Sequence, residues 1–576
     1  MNTLLRLAAA PALLLLAIAA PALADGPGAT GAYLSGLEAS DSMSTHEAAQ
    51  FFGDAAADEW DNPIVLNEAF IAFVSDGRIG DALNVAHHLS DLQPDNDMVK
   101  LVVATVALKE RRYDDAVTEL DKIGSNSFEG VTGAVLKAWA ITGQGRLDDA
   151  FKSLDTVGDN GLAEFLIFHR AIMAEVAGRT DDAVKYISQA HDGDPYTADV
   201  VEAYASILAN AGQPDKAVDA VVGFESQGLN FPGVTAIKQA LVDKQRPPLY
   251  ADSVQAGAAE MFHSIGVAIT RDGTEQDALV MFRLANYLDP RNDAITLVLG
   301  QLYDDAGQHE IADDLYNGVA ATSPYKPMAT VRVADNLDAT GDRAEAIRRL
   351  GNIVTTNPND IDAVSVLGDL YRSDKQYQAA VGEYTRALAI TGGQSPGDWR
   401  FYYVRGIAYE RSEQFPSAEK DFLKALDLNP NQPQVLNYLG YSWVDKGMNL
   451  NRALGMIQKA VAASPNDGYI IDSLGWAYYR LGRFADAVTE LEQAATLMPN
   501  DPEINDHLGD AYWQVGRKLE AHFQWNVAYS LDKDGDVKAR VAPKLTGGLD
   551  AAPKDGESAP ILDTPPGDQA QAVPAN

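Results

Sequence analysis

The sequence predicts an all-α protein, a right-handed α-solenoid of about thirteen helix-turn-helix units in two blocks. Three observations predict it. A period close to 34 residues runs through most of the 576-residue chain. Within each period, apolar residues recur at i, i+3, i+4 and i+7, the spacing that gathers them on one helix face. Small residues and helix breakers return at fixed places in the period, where two helices must touch or turn.

One clean unit runs from Gly468 to Asp501. Its markers are Leu474, Gly475, Tyr478, Gly482, Ala487, Leu491, Ala494 and Pro499. Gly475 and Ala487 are small because two antiparallel helices must approach closely there. Gly482 permits the left-handed backbone that ends the first helix. Pro499 cannot continue the second helix and biases Met498 away from helical torsions. Asn500-Asp501 can cap the helix that follows. Neither helix buries its apolar stripe alone, so stacked neighbours must supply the core.

The Ala that opens each second helix sets the ladder. It falls at Ala82, Ala116, Ala150, Ala183 and Ala217, then at Ala278, Ala312, Ala346, Ala380, Ala418, Ala453, Ala487 and Ala521. The five and eight units predict a first solenoid over 62–228 and a second over 258–535. The gap between Ala217 and Ala278 contains Arg246-Pro247-Pro248, so 229–257 reads either as a joint or as a degenerate repeat. Residues 25–61 form an N-terminal segment, loose over 25–45. Aperiodic residues 543–576, rich in Pro, Gly, Ala and Asp, predict a disordered tail.

Met1–Ala24 reads as a cleaved signal peptide. Arg6 gives a positive start, Leu13-Leu14-Leu15-Leu16 an apolar core, and Ala22-Leu23-Ala24 a small-x-small cleavage site. A retained anchor is the alternative. No second apolar run reaches membrane-spanning length, so the mature chain is expected to be soluble, in a periplasm or secreted.

Composition excludes several function classes. Asp plus Glu number 82 against 45 Lys plus Arg, a net charge of −37. That excess repels phosphate backbones and anionic headgroups, so no nucleic-acid partner is expected. Cys is absent, which removes disulfides, thiol nucleophiles and Cys-type metal sites. His46-Glu47 and His309-Glu310 begin like zinc-protease helices but have Gln50 and Asp313 where the second His is needed. Adjacent His87 and His88 point about 100° apart on a helix. Asp532-Lys-Asp534-Gly-Asp536 starts like a calcium loop, yet Val537 stands at the required Gly and Pro543 at the required Glu. No phosphate loop or nucleophile turn occurs. No catalytic residue, metal site or cofactor is therefore assigned, and the chain reads as non-enzymatic.

In such a solenoid the first helices line the inner face. The late units present Arg400, Tyr403, Glu410 and Arg411, then Asn437, Tyr441 and Asp445, then Asp472, Trp476, Tyr479 and Arg480, then Asp506, Asp510 and Trp513. Aromatics with Arg and Asn are the residue types that dominate binding energy; packing against the neighbouring unit is the alternative. Residues 399–529 hold five of the seven Trp. The early units instead present Ile64, Ile71, Leu101, Trp139, Phe165 and Phe168. Such an apolar groove fits either peptide capture or a solenoid that contacts itself.

The repeat is the tetratricopeptide (TPR) pattern, and the resemblance covers about 62–533. The strings at 399–415, 436–447, 470–483 and 502–517 (WRFYYVRGIAYERSEQF, LNYLGYSWVDKG, IIDSLGWAYYRLGR, PEINDHLGDAYWQVGR) resemble alphaproteobacterial envelope TPR proteins. More distantly they resemble TPR lipoproteins that bind periplasmic carboxyl-terminal processing proteases. That resemblance implies an adaptor for a protease or cell-wall hydrolase, with protein or peptide partners. A scaffold for polysaccharide export or outer-membrane assembly is the other reading. Those adaptors are anchored through a Cys that this chain lacks. The oligomeric state is open.

Overall fold

The computed structural model describes residues 28–551, apart from 125–127, 158–161, 228, 230, 272–274 and 534. The expected signal peptide and residues 552–576 of the expected tail lie outside the described residues. The chain is all-α and divides into two compact units, residues 1–329 and 330–576. That division falls inside the block 258–535 that periodicity alone joins.

Unit 1 begins with six antiparallel pairs: α1 (Ala29–Asp41) with α2 (Thr45–Asp58), α3 (Pro63–Ser75) with α4 (Ile79–Leu92), α5 (Asp97–Lys109) with α6 (Tyr113–Leu120), α7 (Phe128–Gly143) with α8 (Leu147–Leu154), α9 (Ala163–Val176) with α10 (Thr180–Gly193), and α11 (Ala198–Asn210) with α12 (Pro214–Ser226). A lone helix, α13 (Pro232–Val242), follows, then the pairs α14 (Val254–Thr270) with α15 (Glu275–Leu288) and α16 (Asp293–Asp305) with α17 (His309–Gly318). The division between units falls within α18 (Lys326–Ala339).

Unit 2 continues with α19 (Arg343–Thr356), then α20 (Ile361–Ser373) with α21 (Tyr377–Thr391), α22 (Trp399–Arg411) with α23 (Phe415–Leu428), α24 (Pro433–Asp445) with α25 (Leu450–Ala463), α26 (Gly468–Arg480) with α27 (Phe484–Leu497), and α28 (Pro502–Gln514) with α29 (Lys518–Leu531). A final helix, α30 (Asp536–Gly547), ends it.

The helix pairs close on one recurring contact. A Cβ built on Gly475 would lie 2.6 Å from Leu491 Cγ, and one on Gly406 2.6 Å from the Phe422 ring. Gly368 meets Tyr384 and Gly509 meets Trp525 in the same way, sixteen residues on. Gly482 has φ +74°, the left-handed turn the sequence calls for. Asp501 accepts the backbone N–H groups of Glu503 and Ile504, both at 2.9 Å, and so caps α28.

Two segments differ from expectation. Residues 29–58, of which the stretch up to 45 is expected from sequence to be loose, form the α1–α2 pair, where a Cβ built on Gly36 would lie 2.8 Å from the Phe52 ring. The segment is short of aliphatic residues, yet its Ala-rich helices bury Ala32, Ala39, Ala48, Ala49 and Phe52. Residues 543–551, read as the start of the disordered tail, complete α30 and a 3₁₀ turn. Pro543 sits inside that helix, which ionic contacts described below hold in place.

Unit 1 fills its own inner face. α14 packs against α7 and α9, and α15 against α3 and α5. Trp139 is wholly buried, and a Cβ on Gly257 would lie 2.0 Å from its ring. Leu101 and Phe168 are buried too, while Ile64 remains exposed. Polar ends are matched: Gln255 Nε2 donates to Leu108 O at 2.9 Å, and Arg283 Nε to Ser75 O at 2.8 Å, satisfying carbonyls at the last turns of α5 and α3. Of the two readings of the early apolar positions, self-contact is the one realised. Residues 229–257 include α13, the irregular stretch through Pro247-Pro248 and the start of α14. Ser206 Oγ donates to Pro248 O at 2.6 Å, which ties that stretch to α11.

Gly475→Leu is expected to overpack the α26–α27 contact and destabilise unit 2 by roughly 1–3 kcal/mol or more. Tryptophan fluorescence during thermal melting checks it; an unchanged midpoint would refute the helix register.

Candidate functional site: the inner face of the late repeats

α22, α24, α26 and α28 carry all fourteen late-unit residues assigned to the inner face. α24 packs beside α26, and α26 beside α28, so their faces form one surface. At its far end lies a chain of buried charges. Asp472 contacts His507 Nδ1 at 3.0 Å, and His507 Nε2 lies 3.4 Å from Glu503. Glu503 and Asp506 both pair with Arg540 at 2.7 Å. Lys544 Nζ donates to Asp506 at 2.7 Å and to Asp510 at 2.7 and 2.8 Å. Trp525 Nε1 donates to Asp510 at 2.9 Å.

α30 is thus the counter-charge of an acidic inner face. Lys544 is 3% exposed and Asp506 1%, so neither charge is shared with water. The sequence reading missed this helix, although Val537, Val541 and Leu545 repeat every four residues beside Arg540 and Lys544. Pro543 and the proline-rich stretch beyond it masked that signal. Asp532, weighed as a calcium-loop start, accepts the backbone N–H groups of Gly535 at 3.2 Å and Lys538 at 2.8 Å, and so anchors the entry to α30.

Burial sets the protonation of this network. Burial disfavours charge on His507, but Asp472 and Glu503 outweigh it and carry the imidazole up to about 10. Burial likewise opposes charge on Glu503, yet His507 and Arg540 bring it down to about 2. Burial and Asp506 push Asp510 up to about 6 against the pull of Lys544. Both nitrogens of His507 face carboxylates, so no ring nitrogen is left to accept a substrate proton.

The assigned residues divide by what they touch. Asp472, Asp506 and Asp510 are committed to the ionic network. Tyr403 packs on Trp399, Phe422 and Tyr438, with centroids 5.9–6.2 Å away. Trp513 lies against Trp525 and under Gly548, whose Cβ position is 2.1 Å from its ring. Both remain half-buried, as Trp476 does. Arg400 is exposed, while Arg411, Tyr441, Trp476, Tyr479 and Arg480 are half-buried. Trp476 stacks between Tyr479 (4.7 Å) and the His507 ring (4.1 Å). Arg480 lies 3.9 Å from Asp445. Burial, Glu503, Asp445 and Asp472 hold the Tyr441 phenol well above its usual range, so it stays a neutral donor. Asn437 is 2% exposed and its Oδ1 has no hydrogen-bond partner.

Family profiles described as TPR repeat and tetratricopeptide repeat match residues 475–516, 399–432 and 333–398. These segments are tetratricopeptide repeats. A TPR repeat-containing protein of Pseudomonas aeruginosa is 29% identical over 202 residues, 35% of this chain and 33% of the relative. Tetratricopeptide repeat protein 13 of Homo sapiens is 29% identical over 133 residues, 23% of this chain and 15% of the relative. The chain therefore spans a third or less of these relatives' lengths. Among solved structures, the Cut9–Hcn1 hetero-tetramer of the APC/C aligns with 90% of this chain and 96% of its own, at TM-score 0.39 and 14% identity. YrrB, described as a TPR protein with an unusual peptide-binding site, aligns with 34% of this chain and 97% of its own, at TM-score 0.27 and 19% identity. TPR repeats act as protein-interaction scaffolds, and no catalytic domain accompanies them among the described residues.

Two predictions follow from the charge network. Lys544→Ala leaves buried Asp510 without a cation and Asp506 with Arg540 alone, and is expected to cost about 3–5 kcal/mol of unit 2 stability, read by denaturant unfolding with tryptophan fluorescence. The raised His507 contributes stability that is complete below its unfolded value, about 6.5, and lost as pH rises through about 10. Melting between pH 7 and 10 is expected to fall more steeply in the wild type than in His507→Gln; equal slopes would refute the pairing.

Proposed function

We propose that this TPR protein is a non-catalytic scaffold that holds a protein or peptide partner on the inner face of its late repeats. One observation carries the reading: Trp476, stacked between Tyr479 and His507 yet half-buried, shares the adjoining faces of α24 and α26 with half-buried Tyr441 and Arg480. Rigid aromatics flanked by hydrogen-bonding groups are the usual centres of binding energy. The apolar early face is occupied by α14 and α15, which removes it as a competing groove.

The favoured partner is a carboxyl-terminal processing protease or a cell-wall hydrolase, with this chain as its adaptor in the periplasm. The late-repeat strings at 399–517 support that choice, and the Met1–Ala24 pattern supports export. No described helix is long and apolar enough to cross a membrane.

In-cell crosslinking of the full chain, with mass spectrometry, tests this against Tyr441→Ala, Trp476→Ala. The double variant is expected to keep its circular dichroism and to lose a protease or hydrolase by roughly 2 kcal/mol or more of binding. Recovery of export or outer-membrane assembly components, or a partner indifferent to the variant, would refute the adaptor role.

A further inference from the structure

Unit 1 contains ionisable side chains that partner binding does not use. α9 carries His169 and Glu175, α11 carries Asp199 and Glu202, and α14 carries Glu260 and His263. α14 packs against α9, so these helices share an interior. Charge placed there is costly unless it is paired, and the pairing is incomplete. The charges felt by Asp199 are those of Glu260 and His263, and by Glu202 those of Asp199 and Glu260. No Lys or Arg is among them. If His263 offsets Glu260, two further carboxylates remain without a counter-charge.

Geometry brings three of these groups to a point. Glu260 and His263 are three residues apart on α14 and so project from one face. Asp199, in the first turn of α11, faces them. Asp199, Glu260 and His263 each offer one ligand atom, and these atoms lie within 4.8 Å of one another. His263 Nδ1 is 3.5 Å from Glu260 Oε2, an ion-pair distance, and has no hydrogen-bond partner. His169 is wholly buried with both ring nitrogens unpartnered, and it lies close enough to Glu260 to feel its charge. Ser264 Oγ donates to Glu260 Oε1 at 2.8 Å, which orients that carboxylate as an outer hydrogen bond orients a ligand.

We propose that Asp199, Glu260 and His263 bind one divalent first-row transition-metal ion. Two carboxylates and an imidazole form a mixed oxygen–nitrogen set, which suits zinc, cobalt, iron or manganese rather than the all-oxygen spheres of calcium and magnesium. A dication balances the carboxylates that no Lys or Arg reaches. Glu260 and His263 are buried, whereas Asp199 and Glu202 are half-buried, so the ion has a route from solvent. The site links α11 to α14 and would fasten the helix that fills the inner face. Bound metal is therefore expected to stabilise unit 1.

The test uses the tag-free full chain, stripped with chelator and dialysed against micromolar Zn²⁺ or Co²⁺. One metal per chain is expected by mass spectrometry of the elements. A visible Co²⁺ band should be displaced by Zn²⁺, and the melting midpoint should rise with metal. Glu260→Gln and His263→Gln should abolish binding. Asp199→Asn, a milder change at a half-buried position, should weaken it at least tenfold with circular dichroism unchanged. Zinc-edge X-ray absorption of the wild type should show one imidazole in an otherwise oxygen sphere, a readout independent of how the variants fold. A wild type that retains no stoichiometric metal, a folded variant that binds undiminished, or a sphere with no imidazole or several would overturn the proposal.

Discussion

The contact on which the helix pairs depend is an α-carbon without a side chain set against a large one sixteen residues later. It lets two backbones approach while the ring or branched chain fills the space between them. Gly36 with Phe52, Gly266 with Phe282 and Gly300 with Tyr316 repeat it in unit 1, and Gly368 through Gly509 repeat it in unit 2. What is held constant is summed volume rather than glycine itself. At the same register in α3 and α4 the sizes are exchanged, with Phe70 on the first helix and Ala86 on the second, both fully buried. A period built on complementary volumes survives wide sequence drift, because interiors tolerate substitution when total volume is conserved.

Much of this was legible in the sequence. The opening Ala of each second helix, the left-handed Gly482 and the Asp501 cap are local requirements, and local requirements leave local signatures. The segments that escaped have their reasons in contacts distant along the chain. Residues 29–58 lack the aliphatic stripe that marks a helix pair, and are held by alanines packed around Phe52. α30 carries a helix-breaking residue and is held by ion pairs to residues more than thirty positions earlier. Within the inner face, periodicity placed Tyr403, Trp476 and Trp513 equally. Only the neighbours decide which rings each one meets: Trp399, Phe422 and Tyr438 for Tyr403, Tyr479 and His507 for Trp476, Trp525 for Trp513. A repeat register specifies a direction; what stands in that direction depends on the adjoining helices.

Net charge shaped the two inner faces differently. A chain with 82 acidic residues must line some of its first helices with carboxylates. In unit 2 the chain answers with Arg540 and Lys544 from α30 and with the imidazolium of His507. Those three cations are shared among Glu503, Asp506, Asp510 and Asp472, so each of these carboxylates has a cation against it. The positions left open there are aromatic and hydrogen-bonding groups. That chemistry suits an extended polypeptide, since stacking and amide contacts need no net charge from the partner.

In unit 1 the corresponding space is closed by α14 and α15, and the charges that reach Asp199 and Glu202 of α11 include no Lys or Arg. Burying a carboxylate without a cation is tolerated when the group can take up a proton: burial and the neighbouring Asp199 and Glu260 push Glu202 up to about 8. A proton removes the charge of one oxygen pair, whereas a dication also organises several ligands around one centre. Asp199, Glu260 and His263 converge within ligand distance, while Glu202 shares the same charges without joining the cluster. Convergence of this kind restricts three side chains, and repulsion between Asp199 and Glu260 works against it. An ion at their meeting point reverses the sign of that interaction, which is the physical ground for treating the cluster as a ligand set rather than as buried acid.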